Sequence, residues 1–280
     1  MNKKILIICR GGGDLATGIV HRLFRAGFPV LVLETDSPAA IRRQVSFSEA
    51  VYDGTATVEG VTAERIASAD RASVDHVLEA GRVPLLVDPE GSSIPLLKPD
   101  IVVDAIIAKK NLGTAKEMAP LVIGVGPGFT AGEDVDLVVE SMRGHNLARI
   151  FTTGSALPNT GIPGNIGGFT KERVLHAEAA GYMKNIRKIG DIVEKGEEIA
   201  RIYEKMTEDG IFSGSYVSVD ASISVIIRGL IREGYHFQKG FKIADIDPRE
   251  SELANCFTIS DKARNIGGSV LEAVCGYVNG

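Results

Sequence analysis

The chain has 280 residues, enough for two modest domains, and its 44% hydrophobic and 24% charged fractions are those of an ordinary soluble globular protein. A formal net charge of −5 argues against a protein held to nucleic acid by bulk charge. The three scattered cysteines, Cys9, Cys256 and Cys275, offer neither a disulfide framework nor a C-x-x-C zinc pair. No stretch approaches a membrane span, and Met-Asn-Lys-Lys leads straight into the first apolar run, so a cytoplasmic protein with no signal peptide and no membrane partner is expected.

Residues 5–10, Ile-Leu-Ile-Ile-Cys-Arg, read as a buried parallel strand that breaks into Gly11, Gly12 and Gly13. A helix follows with Leu15, Ile19, Leu23 and Phe24 on one face, Gly27 ends it, and residues 28–34 read as a second strand. Gly11, Gly13 and Ala16 fit G-x-G-x-x-A. The first glycine permits the tight turn, the second lets backbone approach a phosphate, and the small third residue lets helix pack on strand. Amides at the helix start, around Gly12 and Asp14, together with the helix dipole favour an anion. Glu34 closes the second strand 21 residues after Gly13, where an acid would accept from a ribose hydroxyl. No G-K-[ST] follows the glycines, which excludes a P-loop. The register favours a nucleotide or another phosphate ester, the alternative being a turn with a purely architectural role.

Ser37 and Pro38 suit the cap and first position of a short helix carrying Arg42 and Arg43. Arg42 is a candidate for an additional phosphate, and a solvated helix face is the alternative. Asp53-Gly54 is a turn, residues 62–80 carry helical signals ending at Gly81, and residues 83–87 are a short strand. Residues 101–107 form an apolar run suited to a strand buried on both faces, with Lys109 and Lys110 just beyond its carboxyl end. Lys109 is therefore a candidate phosphate or substrate contact. Residues 121–125 run into a second glycine turn, which adds Gly126 and Gly128 to the candidates, and residues 135–139 and 147–152 are further strands. This rhythm predicts an α/β, Rossmann-like doubly wound parallel sheet over residues 1–170. Residues 153–170, rich in glycine yet keeping Leu157, Ile162, Ile166 and Phe169, read as an ordered loop near a domain junction rather than a linker.

An internal repeat follows. Residues 190–202 (Gly-Asp-Ile-Val-Glu-Lys-Gly-Glu-Glu-Ile-Ala-Arg-Ile) recur 44 positions later as residues 234–246 (Gly-Tyr-His-Phe-Gln-Lys-Gly-Phe-Lys-Ile-Ala-Asp-Ile), which suits a small two-fold barrel. G-D-x-V-x-K-G-x-x-I-A resembles the half-motif of biotinyl and lipoyl carrier domains. The resemblance implies a small all-β barrel-sandwich module over residues 171–248, starting with a strand at 173–177. The hairpin at 203–210 holds Lys205-Met206 but lacks the Met-Lys-Met setting, so no covalent biotin or lipoate is expected. The last segment, 249–280, has Ser260 as a cap and a stripe of Ile266, Val270, Leu271 and Val274. Gly267-Gly268 suggests close packing, and the helix is expected to dock back on the first domain.

Cys9 stands at the end of the first strand, either facing a cofactor or inert and buried. Asp14 and Asp104 suit the chemical side of the crevice but are equally explained as cap and buried acid. His145 and His176 lie in separate regions without H-E-x-x-H spacing, so no metal site is expected. No G-x-S-x-G elbow is present, no catalytic residue is assigned, and whether the chain is an enzyme is left open.

Arg10-Gly-Gly-Gly-Asp-Leu-Ala-Thr-Gly, Val45-Ser-Phe-Ser-Glu-Ala-Val-Tyr-Asp-Gly, Gly124-Val-Gly-Pro-Gly-Phe-Thr-Ala-Gly and Pro158-Asn-Thr-Gly-Ile-Pro-Gly together resemble the YqeB-type accessory proteins of selenium-dependent molybdenum hydroxylase systems. The resemblance spans nearly the whole chain, and the glycine-turn half is distantly similar to the XdhC-type maturation factors. It implies an assembly role: handling molybdopterin cytosine dinucleotide, or its selenium ligand, for a client molybdenum hydroxylase. Only the glycine turn, residues 11–14, transfers. The competing readings are an NAD(P)-dependent oxidoreductase and a non-catalytic nucleotide-binding scaffold, and a homo-oligomer is allowed for in each.

Overall fold

The computed structural model describes residues 5–280, which divide into two compact units. The first takes in the chain up to residue 38, then residues 45–160 and 259–280; the second is residues 39–44 and 161–258.

The first unit opens with Ile7–Arg10 (β1), Asp14–Arg25 (α1) and Val30–Glu34 (β2). There follow Ala50–Asp53 (α2), Thr55–Val58 (β3), Val61–Ile66 (β4), Arg71–Glu79 (α3), Val83–Val87 (β5), Ile94–Leu97 (α4) and Ile101–Asp104 (β6). Leu121–Val125 (β7), Thr130–Ala131 (β8), Leu137–Val139 (β9), Ile150–Phe151 (β10), Gly154–Ser155 (β11) and the C-terminal helix Asp261–Asn279 (α5) complete it. Its main sheet has the order β10-β9-β7-β6-β1-β2-β5-β4-β3. The strands from β9 to β4 in that order are parallel, and β10 and β3 are antiparallel edges. The architecture is mixed α/β around a large, mostly parallel sheet. The central strands β1, β6 and β7 are buried along their whole length, as apolar runs covered on both faces must be. The chain places β2 on one side of β1 and β6 on the other, so the strand order reverses there. Open α/β sheets gather their ligand contacts beyond the carboxyl ends of the strands at such a reversal.

Two expectations are overturned. Residues 62–80 are not one helix: β3 and β4 make an antiparallel hairpin through Glu59-Gly60, both with positive φ, and only Arg71–Glu79 is helical. Val61 to Glu64 alternates in burial as a strand does, and Asp70 caps α3 by accepting from Ser73 N at 2.8 Å, so the helix starts nine residues late. No helix starts at Ser37-Pro38 either, and the first helical turn beyond it is the single 3-10 turn Arg43–Val45. Residues 39–44 pass into the second unit, where Leu230 N donates to Ile41 O at 2.9 Å and Arg43 Nε donates to Leu230 O at 3.0 Å.

Helix α5 packs on α1 through residues that have almost no side chain. A Cβ on Gly267 would stand 2.7 Å from Gly18 O, and one on Gly18 would stand 2.7 Å from the Ala263 Cβ. Larger residues would force the helices apart and pull Ile266, Val270 and Val274 out of the core they share with Ile19 and Leu23. Ser260 fixes the start of α5 by accepting from Ala263 N at 3.1 Å.

In the second unit, Val174–His176 (β12), Gly181–Asn185 (β13), Ile192–Val193 (β14), Glu198–Met206 (β15), Phe212–Asp220 (β16), Val225–Leu230 (β17), His236–Phe237 (β18) and Lys242–Asp247 (β19) build two four-stranded antiparallel sheets. Their orders are β12-β19-β17-β14 and β16-β15-β13-β18. The 44-residue repeat carries β13 onto β17, β14 onto β18 and β15 onto β19, and each short strand, β14 or β18, crosses into the other half's sheet. The core of this unit buries Met183, Ile199, Ile202, Ile226, Ile227 and Ile246.

The α1–α5 contact sets a test. Gly267→Val should lower the free energy of unfolding by about 1–3 kcal/mol through overpacking. Gly276→Ala, where nothing lies within 4 Å of an added Cβ, should leave it unchanged or raise it by up to about 1 kcal/mol by helix propensity. Urea unfolding of both variants checks the contrast.

Candidate functional site

The glycine turn links β1 to α1 at the reversal of strand order. Gly11 has φ +98°, and a Cβ there would meet Ala105 O and Ile106 at 3.0 Å, so only glycine fits against the chain leaving β6. Gly12 lies equally tight on Ser48, whose N–H donates to Gly12 O at 2.8 Å. The Thr17 hydroxyl completes the clamp: it donates to Gly12 O at 3.1 Å and accepts from Phe47 N at 2.9 Å. Gly13 differs. It precedes the first residue of α1, no side chain caps the helix there, and nothing lies within 4 Å of where its Cβ would be. Asp14 is partly exposed beside it, and Ala16 is buried against the sheet.

Glu34 comes to this turn as its place in the sequence suggests, but the chain itself claims its carboxylate. Oε2 accepts from Gly12 N at 2.7 Å and Oε1 from Thr35 N at 2.8 Å. Burial pushes this carboxyl above the usual carboxylate range, and the two amides pull the other way. Beneath the turn, Arg10 and Asp104, from the carboxyl ends of β1 and β6, form an ion pair at 3.5 Å with both side chains 3% exposed. The Thr114 hydroxyl donates to Asp104 Oδ2 at 2.6 Å and accepts from Arg10, and Arg10 also donates to Pro89 O at 3.1 Å. This pair fills the reversal point with the chain's own charges. Cys9 is fully buried, its Sγ 3.6 Å from Gly11 O, and burial next to Asp104 and Glu34 drives the thiol far above its ordinary range. It is an inert thiol in this state.

Lys262, which the sequence reading did not single out, comes to the same region. The second residue of α5 is partly buried and near enough to Asp14 and Glu140 to feel both charges, while its burial lowers the ammonium below its usual value. Only the α1–α5 packing brings it there, and nothing in the local sequence signals it. Glu140, fully buried after β9, accepts from Met142 N at 2.7 Å and Leu157 N at 2.8 Å and so ties down the start of the 153–170 segment.

Lys109, exposed and with φ +64°, follows β6, and a Cβ on Gly128 would meet Lys110 Cα at 2.7 Å. Gly126, with φ +83°, donates to Val139 O at 2.8 Å. The candidates Gly11, Gly12, Gly13, Glu34, Lys109, Gly126 and Gly128 thus stand at the carboxyl ends of β1, β2, β6 and β7 or in the turns that follow them, and Asp14 and Ala16 in the first turn of α1. Arg42 does not. It belongs to the second unit, buried, with its guanidinium donating to Asn255 O and Thr258 O at 3.0 Å each, and this corrects its expected place beside a phosphate. Among the described residues, no group of three or more His, Cys, Asp or Glu side chains is placed to hold a metal, and no helix is long and apolar enough to cross a membrane.

Two measurements follow. Asp104→Ala leaves the Arg10 charge buried without its carboxylate and should cost about 3–5 kcal/mol in urea unfolding. Glu34 holds its proton above the ordinary carboxylate value, so just above that value the native state carries more protons than the unfolded chain, and the stability Glu34 contributes falls as pH rises. The difference in unfolding free energy, wild type minus Glu34→Gln, should therefore shrink as pH is raised from the ordinary carboxylate range through the folded value; a constant difference refutes this.

No family model matches the chain. Among solved structures, it was matched to the product-bound ectoine utilization protein EutE (DoeB) of Ruegeria pomeroyi at 12% identity and a TM-score of 0.28, over 86% of this chain and 85% of that one. A succinylglutamate desuccinylase of a Silicibacter species matches at 12% and 0.27, over 86% and 84%, and an aspartoacylase family protein of Mesorhizobium loti at 9% and 0.28, over 86% and 83%. Likenesses this weak carry no argument about fold or activity. In sequence, the chain is 47% identical over 269 residues to the Escherichia coli K12 protein YqeB, itself described as uncharacterized. The match takes in 96% of this chain and 47% of that protein, so the chain spans about half the length of this curated relative. That similarity, over nearly the whole chain, supports placing it with YqeB-type proteins.

Proposed function

We propose that the first unit is a Rossmann-like nucleotide-binding unit that holds the pyrophosphate of a dinucleotide cofactor at the start of α1. The carrying observation is the open, uncapped start of that helix at Gly13, on a turn whose other two glycines are clamped by backbone. First-turn amides and the positive end of the dipole favour an anion there, and the Lys262 ammonium adds a cation to the neighbourhood. Glu34 already satisfies the Gly12 amide, so in this reading a phosphate is met at Gly13. In this reading the cofactor is molybdopterin cytosine dinucleotide. The chain is an accessory factor in maturing a selenium-dependent molybdenum hydroxylase, and the second unit, read as a barrel-sandwich module of biotinyl/lipoyl type, helps to dock that client. The support for the client is the motif resemblance, together with the similarity to YqeB.

A thermal-shift screen with NAD, NADP, ATP, CTP and molybdopterin cytosine dinucleotide tests the reading. A ligand at one hundred times its dissociation constant stabilises the native state by about 2.7 kcal/mol. We expect a selective rise in Tm with the pterin dinucleotide. Gly13→Val, which has room for its side chain, should fold normally and lose the shift. A selective shift with NAD or NADP would favour an oxidoreductase instead, and no shift with any ligand would reduce the turn to architecture.

A further inference from the structure

Strand β16 is the anomaly of the second unit. It is a sheet edge nine residues long, Phe-Ser-Gly-Ser-Tyr-Val-Ser-Val-Asp, and every residue but Val219 is at least partly exposed. The other sheet edges among the described residues are short: four residues in β3, three in β12, and two in each of β8, β10, β11, β14 and β18. Proteins protect edges by keeping them short or by placing Lys or Pro on them. β16 has neither Lys nor Pro, and Asp220 at its end is its only charge. Its pairing with β15 shifts twice, beside Gly214, φ +84°, and opposite Val219–Asp220, where the extra residue is on β15, so β16 itself runs without a bulge from Tyr216 to Asp220.

The outer face of this sheet continues the pattern. Register aligns His236, Tyr182, Tyr203 and Tyr216 in one row across β18, β13, β15 and β16. The Tyr182 and His236 rings lie 4.6 Å apart, those of Tyr203 and Tyr216 5.1 Å apart, and the Arg201 guanidinium sits 4.7 Å from the Tyr216 ring centre. Lys184 and Arg201 are paired with Glu233 and Glu198, so the face carries no excess positive charge to draw a polyanion. Tyr216 is 48% exposed and Val217 36%.

We propose that β16 is a dimerisation edge that pairs antiparallel with β16 of a second copy of this chain about a two-fold axis at Ser218. The backbone groups on the open side of β16 call for a strand, and a two-fold edge contact is self-complementary by construction. In this register Val217 lies opposite Val219 of the second copy, closing an apolar pair on one face. On the other face Tyr216 lies opposite Asp220 of the second copy, which brings that carboxylate to the Arg201 guanidinium over the Tyr216 ring. An apolar pair on one face and a carboxylate set against the Tyr216–Arg201 contact on the other therefore fall in the same register.

Sedimentation velocity over a concentration series, on the full chain, reads the outcome. The wild type should sediment as a dimer. Ser218→Lys and Ser218→Asp each place like charges across the axis and should halve the mass while thermal unfolding and circular dichroism confirm the fold. An equimolar mixture of the two variants should restore the dimer, because Lys then faces Asp. A wild type that stays monomeric throughout overturns the proposal, as does a dimer that survives both substitutions or one that mixing fails to restore.

Discussion

The first unit depends on backbone meeting backbone between α1 and α5. Gly18, Ala263 and Gly267 let two helices that lie far apart in sequence approach until a single methyl group would collide. That closeness seals one face of the sheet with Ile266, Val270 and Val274, and it decides which side chains of α5 reach the glycine turn. Lys262 feels the charge of Asp14 for this reason and not through any local preference. A cation near the open start of a helix favours the same anions as the dipole, so one packing contact serves stability and the candidate site together.

The candidate site is a glycine turn built over a buried salt bridge. Arg10 and Asp104 are isolated from water but compensated by each other, by the Thr114 hydroxyl and by main-chain carbonyls, which is the condition under which buried charge is tolerated. Their partnership ties β1 to β6 where the strand order reverses and holds Gly11 against the chain that leaves β6. Glu34 then joins the end of β2 to the same turn through the Gly12 amide. The result is a rigid turn with one opening, at Gly13.

The second unit is organised by repetition. Its two halves exchange their shortest strands, so neither half completes a sheet alone, and a single core forms between the two sheets. Strand exchange leaves three short edges and one long one, β16, and the long edge is where this unit is open to association.

Several features could be read from the sequence because they are local. The apolar runs of β1, β6 and β7, the glycine turn, the Ser260 cap and the 44-residue repeat depend on near neighbours, on periodicity or on the φ freedom of glycine. The helix expected over residues 62–80 failed because a short alternating segment paired as a strand with β3 and β5, and partners of that kind are not visible in a window of residues. Arg42 was misplaced for a similar reason: its neighbours in sequence belong to the first unit, yet residues 39–44 are drawn into the second by hydrogen bonds to β17 and to carbonyls beyond β19. The sequence by itself determined the strand–turn–helix rhythm around the glycine turn and the repeat of the second unit. The tertiary structure alone decided that Glu34 would be held by Gly12, that Arg10 and Asp104 would meet beneath the turn, and that Lys262 would arrive from the far end of the chain, because each depends on contacts between segments that only packing brings together.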